Sequence, residues 1–371
     1  MYPLHLVFCD NCELLQLNHT VPKEIMFKEH TYVSSTTKSL SNHFYDLALE
    51  NKQQFGLKKD DLILDIGGND GTQLLQYKKT GIENVLNIES ADNIAALSVS
   101  SGIKTINDFF NEGVISKYGL SGKVKLINAS GVFFHLEELH SVIRGIKKAL
   151  AKDGVFVVQF MYAGTMVEKL NFDGIYHEHL CFYTLKSLSN LLNPYGFKIF
   201  DAYSSDIHSG SIIAKVALDN SLPLTRRGAK AFKVDQKYTK ESFLQFSKIV
   251  KSKKDGLKNF LIDIRGKNPN AKIYAYGAPA KGNTLLNYFD IGNSLIDKCV
   301  EVNELKIGRY LPKSHIPIIK ESEHDAPDYY LLLAHNFANE IINRNKELIK
   351  RGVKFIIPFP EPIIISDSNY T

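Results

Sequence analysis

Cysteine is scarce in this chain: Cys9, Cys12, Cys181 and Cys299 are the four in 371 residues. That count excludes a small disulfide-built scaffold. Long hydrophobic runs are also missing. The longest apolar stretch, Gly154 to Gly164, has eleven residues and includes Gln159, against the roughly 20 that a membrane-spanning helix needs. The opening residues MYPLHLVFCDN lack the charged start and apolar core of a signal peptide. These absences point to a cytoplasmic protein with no membrane partner. Charge of one sign is lacking too, with 45 basic against 40 acidic residues. The one local excess runs from Arg226 to Lys258, where eleven Lys and Arg face Asp235, Glu241 and Asp255. No nucleic-acid reading motif accompanies it, so it reads as a solvated helix face or linker, with no nucleic-acid partner. No feature fixes an oligomeric state.

What is present is a globular balance, 44% hydrophobic and 23% charged, in a chain long enough for two or three domains. After a polar stretch, HTYVSSTTKSLSNHF, a helix is expected to end near Gly56. Strand and helix then alternate: LILDIGG, GTQLLQYKKTG, NVLNIES, ADNIAALSVSSG, with later strands KVKLINAS and GVFVVQF. Such alternation with short connections predicts a parallel sheet covered on both faces. FKIFDAYS and SGSIIAKVAL add a closing hairpin, the usual end of a class I methyltransferase domain. Phe243, Phe246, Val250, Leu257, Phe260, Leu261 and Ile264 predict one long amphipathic helix. A second α/β alternation follows from KIYAYGA to VKFIIPF.

The segment Leu62 to Gly71, LILDIGGNDG, is a buried strand that ends in Asp-x-Gly-x-x-x-Gly and opens into a helix. Its glycines, Gly67 and Gly71 among them, permit a sharp turn and a close approach of backbone N–H groups to a ligand. The spacing is not that of a dinucleotide loop, and Asp65 and Asp70 would repel phosphate. A cationic ligand fits better, and S-adenosylmethionine carries an ammonium and a sulfonium. Glu89, ending the next strand, is expected at the ribose hydroxyls. Asp108 and Phe109, after a third short strand, are expected at the adenine, and Asn128 in LINAS completes the cofactor set.

Tyr176-His177-Glu178-His179 packs two imidazoles, a carboxylate and a phenol together, in a spacing that is not His-Glu-x-x-His. Histidine suits proton abstraction near neutral pH, a carboxylate can orient it, and a phenol can donate to a developing oxyanion. His135 lies past the strand LINAS, beyond the strand carboxyl ends where such folds carry active-site groups. In the second half, the loop from Tyr276 to Thr284 joins a strand to a helix. It offers backbone N–H groups and Lys281 to a diphosphate, with Asn283 beside it. Lys306, Arg309, Tyr310 and His315 add cationic and stacking groups.

Read end to end, the chain resembles the nucleotide-sugar C-methyltransferase family. YPLHLVFCDNCELLQL, HTYVSSTTKSLSNHF, LDIGGNDG, the YHEH run, IHSGS, YGAPAKGNTLLNYF and KIGRYLPKSHIPI carry the resemblance. It implies a remnant of a zinc-binding module at 1–30, an S-adenosylmethionine-dependent methyltransferase domain at 31–220, and a Rossmann-like nucleotide-sugar-binding domain at 221–371. It implies a nucleotide-linked 4-ketosugar as substrate and partner, methylated on the carbon beside the ketone through an enolate. By it His179 would be the base, with Tyr176, Glu178 and His135 around it. Tyr32, Ser35, His208 and Ser211 would join the sugar site, where Ser209 departs from the family's more usual His-Gly-Gly-Ser. Sugar O- or N-methylation, and a catalytically silent nucleotide-sugar-binding protein, are the rival expectations. The resemblance sets Cys9 and Cys12 as the second pair of a four-cysteine zinc site. With the first pair missing, loss or truncation of that site is expected over a filled one.

Overall fold

The computed structural model describes residues 2–207, 210–218, 222–322 and 325–369. These form two compact units: residues 1–166 with 177–240, and residues 167–176 with 241–371. No helix among the described residues is long and apolar enough to cross a membrane.

The first unit begins with β1 (Leu6–Phe8), β2 (Leu15–Leu17), the short helix α1 (Lys23–Phe27) and α2 (Lys38–Phe55). Gly56 ends α2 in a left-handed conformation, its N–H donating to the Lys52 carbonyl. The expected alternation follows as β3 (Leu62–Ile66), α3 (Thr72–Lys79), β4 (Val85–Glu89), α4 (Asp92–Ser100), β5 (Thr105–Asn107), α5 (Glu112–Lys117), β6 (Val124–Ser130), α6 (Leu139–Ala149) and β7 (Leu150–Met161). Then come α7 (Ala163–Glu168), β8 (Cys181–Phe182), α8 (Leu185–Leu192), the hairpin β9 (Phe197–Ser205) and β10 (Ser211–Leu218), and α9 (Arg226–Asp235).

The main sheet runs β5-β4-β3-β6-β7-β10-β9, parallel except for the hairpin strand β10, which pairs antiparallel with β7 and β9. Ile63, Leu74, Tyr77, Leu126, Val157, Phe200 and Ile213 build its core. The strand order reverses between β3 and β6, which opens a crevice at their carboxyl ends. A small sheet, β1-β2-β8, ties the N-terminal hairpin to the segment just after His179.

The second unit has α10 (Lys240–Ser252), α11 (Gly256–Lys267), β11 (Ile273–Tyr276), α12 (Ala280–Tyr288), β12 (Lys298–Glu301), β13 (Ile318–Lys320), β14 (Tyr329–Leu332), α13 (Ala338–Arg344), α14 (Lys346–Lys350), β15 (Lys354–Ile357) and β16 (Ile363–Ile365). Its sheet order is β13-β12-β11-β14-β15-β16, parallel up to the antiparallel edge strand β16. The single long helix expected over Phe243–Ile264 is two helices. The chain turns at Lys253-Lys254-Asp255, where Gly256 follows adjacent like charges and lowers helix propensity. The basic stretch lies along α9, α10 and α11. Several of its cations meet single carboxylates at the surface, Lys240 with Asp10 and Lys258 with Asp290 among them.

Candidate active site

The turn after β3 crosses the end of the sheet at very short range. Gly67 is left-handed at φ 59°, and a Cβ there would meet Val132 Cγ2 at 2.7 Å. A Cβ on Gly68 would lie 2.5 Å from Asn87 Oδ1 and 2.8 Å from Asp65 Oδ2. The loop is locked from below: Gly68 N donates to Asn87 Oδ1 at 3.0 Å, and Asn87 Nδ2 donates to Asn69 O at 2.9 Å. Gly71, also left-handed, precedes the first residue of α3, and Asp70 Oδ1 accepts from Thr72 N and Thr72 Oγ1.

Asp65 is 1% exposed, and among the described residues neither carboxylate oxygen has a hydrogen-bond partner. Burial, then the nearby charge of Glu89, pushes its carboxyl well above the ordinary range. Such a group lacks a cationic or hydrogen-bonding partner, which the ammonium of S-adenosylmethionine would supply. Glu89 at the end of β4 is held by Asn69 N at 3.0 Å and Ala91 N at 2.9 Å. Burial raises its carboxyl, and those amide bonds offset part of the rise. Asp108 and Phe109 follow β5, with Asp108 N bonded to Glu89 O. Lys117 pairs with the Asp108 carboxylate at 3.2 Å. Asn128 shares a register row with Asp65, and its Oδ1 accepts from Tyr77 OH at 3.1 Å.

Tyr32 and Ser35, expected at the sugar, lie against the glycine turn. Ser34 N donates to Asn69 Oδ1 and Ser35 N to Asp70 Oδ2, while Asn69 Nδ2 donates to the Tyr32 carbonyl. The polar stretch therefore braces the glycine turn.

Two histidines of the first unit, His135 and His179, come together beyond β6. His135 lies in a 3-10 turn, Phe133–His135, and the Leu180 amide donates to the Phe134 carbonyl at 2.8 Å. That bond, with Leu17 N to Leu180 O at 2.9 Å, fixes the segment carrying His179. The rings of Phe27, His135 and His179 form a stack: Phe27 lies 5.4 Å from His135, and His135 lies 5.2 Å from His179. Phe134 meets both imidazoles edge-on. His179 is 3% exposed. His177 turns away, its Nε2 near the carbonyls of Tyr2 and Pro3.

The sequence reading missed His30. Its Nε2 lies 3.5 Å from Glu178 Oε2, its Nδ1 accepts from Tyr32 N, and its backbone is clasped by Asn93. It thus links the segment that braces the glycine turn to the carboxylate of the histidine run. Glu178 raises the imidazole pKa, against an opposing contribution from burial. Phe27 was missed as well; the local signal for both was Phe-x-x-His, in which His30 opens the stretch HTYVSS.

Tyr176 ends the segment grouped with the second unit. Ser211 opens β10, where its hydroxyl accepts from Gln159 Nε2 at 2.9 Å. His208 lies outside the described residues. In the second unit, Lys306 Nζ donates to Ala278 O at 2.9 Å, whereas Arg309, Tyr310 and His315 are exposed on the following loop. Cys9 and Cys12 occupy the turn between β1 and β2. Backbone amides of Cys12 and Asn11 hold the Cys9 thiol below its usual pKa, and burial raises that of Cys12. Among the described residues no group of three or more His, Cys, Asp or Glu is arranged to hold a metal. Two thiols are half of a tetrahedral set, so these residues do not fit a structural zinc.

A parallel sheet with a glycine turn over a buried, unpaired carboxylate, an acidic residue ending the next strand and a closing hairpin defines a class I S-adenosylmethionine-dependent methyltransferase. A methyltransferase-domain model matches residues 41–202, and a model described as C-methyltransferase C-terminal domain matches residues 206–360. C-methyltransferase NovU of Streptomyces niveus is 32% identical over 381 residues, covering 99% of this chain and 88% of its own. The chain belongs to the C-methyltransferase family. Among solved structures, the PH0226 protein of Pyrococcus horikoshii aligns at TM-score 0.41 and 13% identity, over 54% of this chain and all of its own. An S-adenosylmethionine-dependent methyltransferase of Mesorhizobium loti aligns at TM-score 0.35 and 14% identity, over 46% and 97%.

Proposed function

We propose that the methyl acceptor is a nucleotide-linked 4-ketosugar and that the methyl group is added to the carbon beside the ketone. The observation that supports this most is the stack of His135 on the buried His179 at the carboxyl ends of the strands that lead into the glycine turn. The adjacent ketone acidifies the C–H bond, and a neutral imidazole is a base of suitable strength at neutral pH. His179 takes the proton from that carbon. The ring of His135 restricts its neighbour's orientation, and Glu178, next to the base in the chain, is held by His30. Phe27 covers a face of His135, and Phe134 and Phe182 meet His179 edge to face, which shields the pair from water. The Gly67–Gly71 turn, Asp65 and Glu89 would hold S-adenosylmethionine, which supplies an electrophilic methyl that the enolate carbon takes up. The test is mass spectrometry of products from a panel of nucleotide 4-ketosugars. A product heavier by one CH2, with the new methyl on carbon, is expected; a methyl on oxygen or nitrogen, or none with any member, contradicts the reading.

A further inference from the structure

Residues 22–33 cross both halves of the site in the first unit, yet none of them is buried. Val21 and Ser34, which flank the stretch, are buried and fix its ends. Between them, α1 has Pro22 at its N-cap, no side-chain cap and no buried residue. A helix this short has little stability of its own in water. Its conformation is set by what it touches.

Those contacts fall into two sets. On the cofactor side, Asn93 of α4 clasps the His30 backbone, accepting from His30 N at 3.0 Å and donating to His30 O at 2.7 Å. Asp92 N donates to Lys28 O at 3.0 Å, and Lys28 Nζ meets the Asp92 carboxylate at 2.8 Å. Asn69, in the glycine turn, donates to the Tyr32 carbonyl and accepts from Ser34 N. On the base side, the Phe27 ring stacks on His135, and His30 Nε2 lies 3.5 Å from the Glu178 carboxylate. Lys23, like His30, touches both sides. Its Nζ donates to Glu138, just past His135, and stands 5.0 Å from the centre of the Phe109 ring.

These bonds are exposed or only partly buried, and such contacts contribute about 1 kcal/mol or less apiece. A stretch held that way opens locally at far smaller cost than the sheet beneath it. Its seat on the cofactor side is also under conformational tension. Asn69 is a non-glycine residue at φ 51°, kept left-handed by the bond from its N–H to Glu89 and by the Asn87 amide on its carbonyl. A ligand in the glycine turn bears directly on Asn69 and Glu89. Any resettling of Asn69 shifts the bonds it makes to Tyr32 and Ser34, and Tyr32 N is bonded to the ring of His30, which faces Glu178.

We propose that residues 22–33 form a lid that settles when the cofactor turn is occupied and, in doing so, orders His135 and Glu178 around the base. His30 is the positioning residue that joins the two halves. The ordering of the base rests on the reading of His179 as that base, whereas the closing of the lid over the cofactor does not depend on the acceptor.

The test uses S-adenosylhomocysteine, which has no methyl to transfer, on the natural protein and on Asn93→Ala. That variant removes both bonds on the His30 backbone at an exposed position. At saturating ligand, amide hydrogen exchange over residues 23–33 should slow by about fivefold or more in the natural protein and by less than about twofold in Asn93→Ala. In a histidine-labelled NMR sample the ring signals of His135 should shift with the ligand in the natural protein and much less in the variant. Reciprocity requires that Asn93→Ala also bind S-adenosylhomocysteine more weakly. Exchange over 23–33 that ignores the ligand, or equal responses of the two proteins in either measurement, overturns the proposal. If the lid and His135 respond as expected but no nucleotide 4-ketosugar is methylated, the lid stands and the acceptor reading falls. If a ketosugar is methylated while neither the lid nor His135 responds to the ligand, the acceptor reading stands and the lid falls.

Discussion

The imidazole of His179 lies face to face with that of His135, the ring centroids 5.2 Å apart and the planes within 15°. The stacked ring of His135 limits the orientations open to His179. Replacing the base itself, His179→Asn, should lower kcat by about 10²–10⁴-fold, the usual size of a general-base contribution. His135→Asn should cost less, because it removes the ring that orients the base. Steady-state kinetics of the two variants check this ordering; equal losses would contradict it.

Asp65 carries a functional cost in the unliganded protein. Its folded pKa is raised above the unfolded value by burial, so the protonated form is favoured by folding. The stability it supports is fully present below the unfolded carboxyl pKa and is lost as pH rises through the folded one. Asp65→Asn should therefore melt higher than the natural protein at neutral pH without cofactor, by about 1–3 kcal/mol of stability. Its S-adenosylmethionine affinity should fall. Melting curves with and without the cofactor test both halves, and a variant that melts lower and binds equally well would refute the assignment.

Gly68→Ala puts a Cβ 2.5 Å from Asn87 Oδ1 and 2.8 Å from Asp65 Oδ2. Neither neighbour can yield easily, since Asn87 is bonded to Gly68 N, Asn69 O and Ser98 Oγ. The loop must move instead. Calorimetry should show cofactor affinity down by about tenfold or more, equivalent to roughly 1.4 kcal/mol, while the second unit's melting is unchanged. Unaltered affinity would mean that the turn does not form the cofactor seat.

The His30–Glu178 pair gives a pH signature. Glu178 raises the imidazole pKa, so the pair's stabilisation is fully present below the unfolded histidine pKa of about 6.5. It is lost as pH rises through the higher folded value. Both side chains are partly exposed, so the contribution is within about 1 kcal/mol. Glu178→Gln should return the His30 pKa toward its ordinary value in an NMR titration, and the stability difference from the natural protein should shrink above that range. An unchanged His30 titration would show that the pair does not form in solution.

The features legible in the sequence were those set by neighbours along the chain. LDIGGNDG announced its turn because strand, glycines and helix are contiguous, and YHEH announced its chemistry by concentration. Alternation disclosed both parallel sheets, with β13 and β16 overlooked because each is three residues long and no helix follows it to continue the alternation. The contacts that build the site are long-range: His30 reaches Glu178, Ser34 reaches Asn69, and Phe27 covers His135. No spacing rule encodes them. The grouping of residues 167–176 with the second unit was equally hidden, because Phe172 packs on Tyr288, Phe289 and Phe359, far along the chain.

The central claim is that His179 removes a proton from carbon beside a ketone. It is tested most directly by incubating the protein with a nucleotide 4-ketosugar in deuterium oxide without S-adenosylmethionine and following the C–H signal by NMR. The account predicts deuterium at the carbon beside the ketone with the natural protein and none above background with His179→Asn. Exchange that persists in His179→Asn, together with undiminished methyl transfer when the cofactor is added, would contradict it.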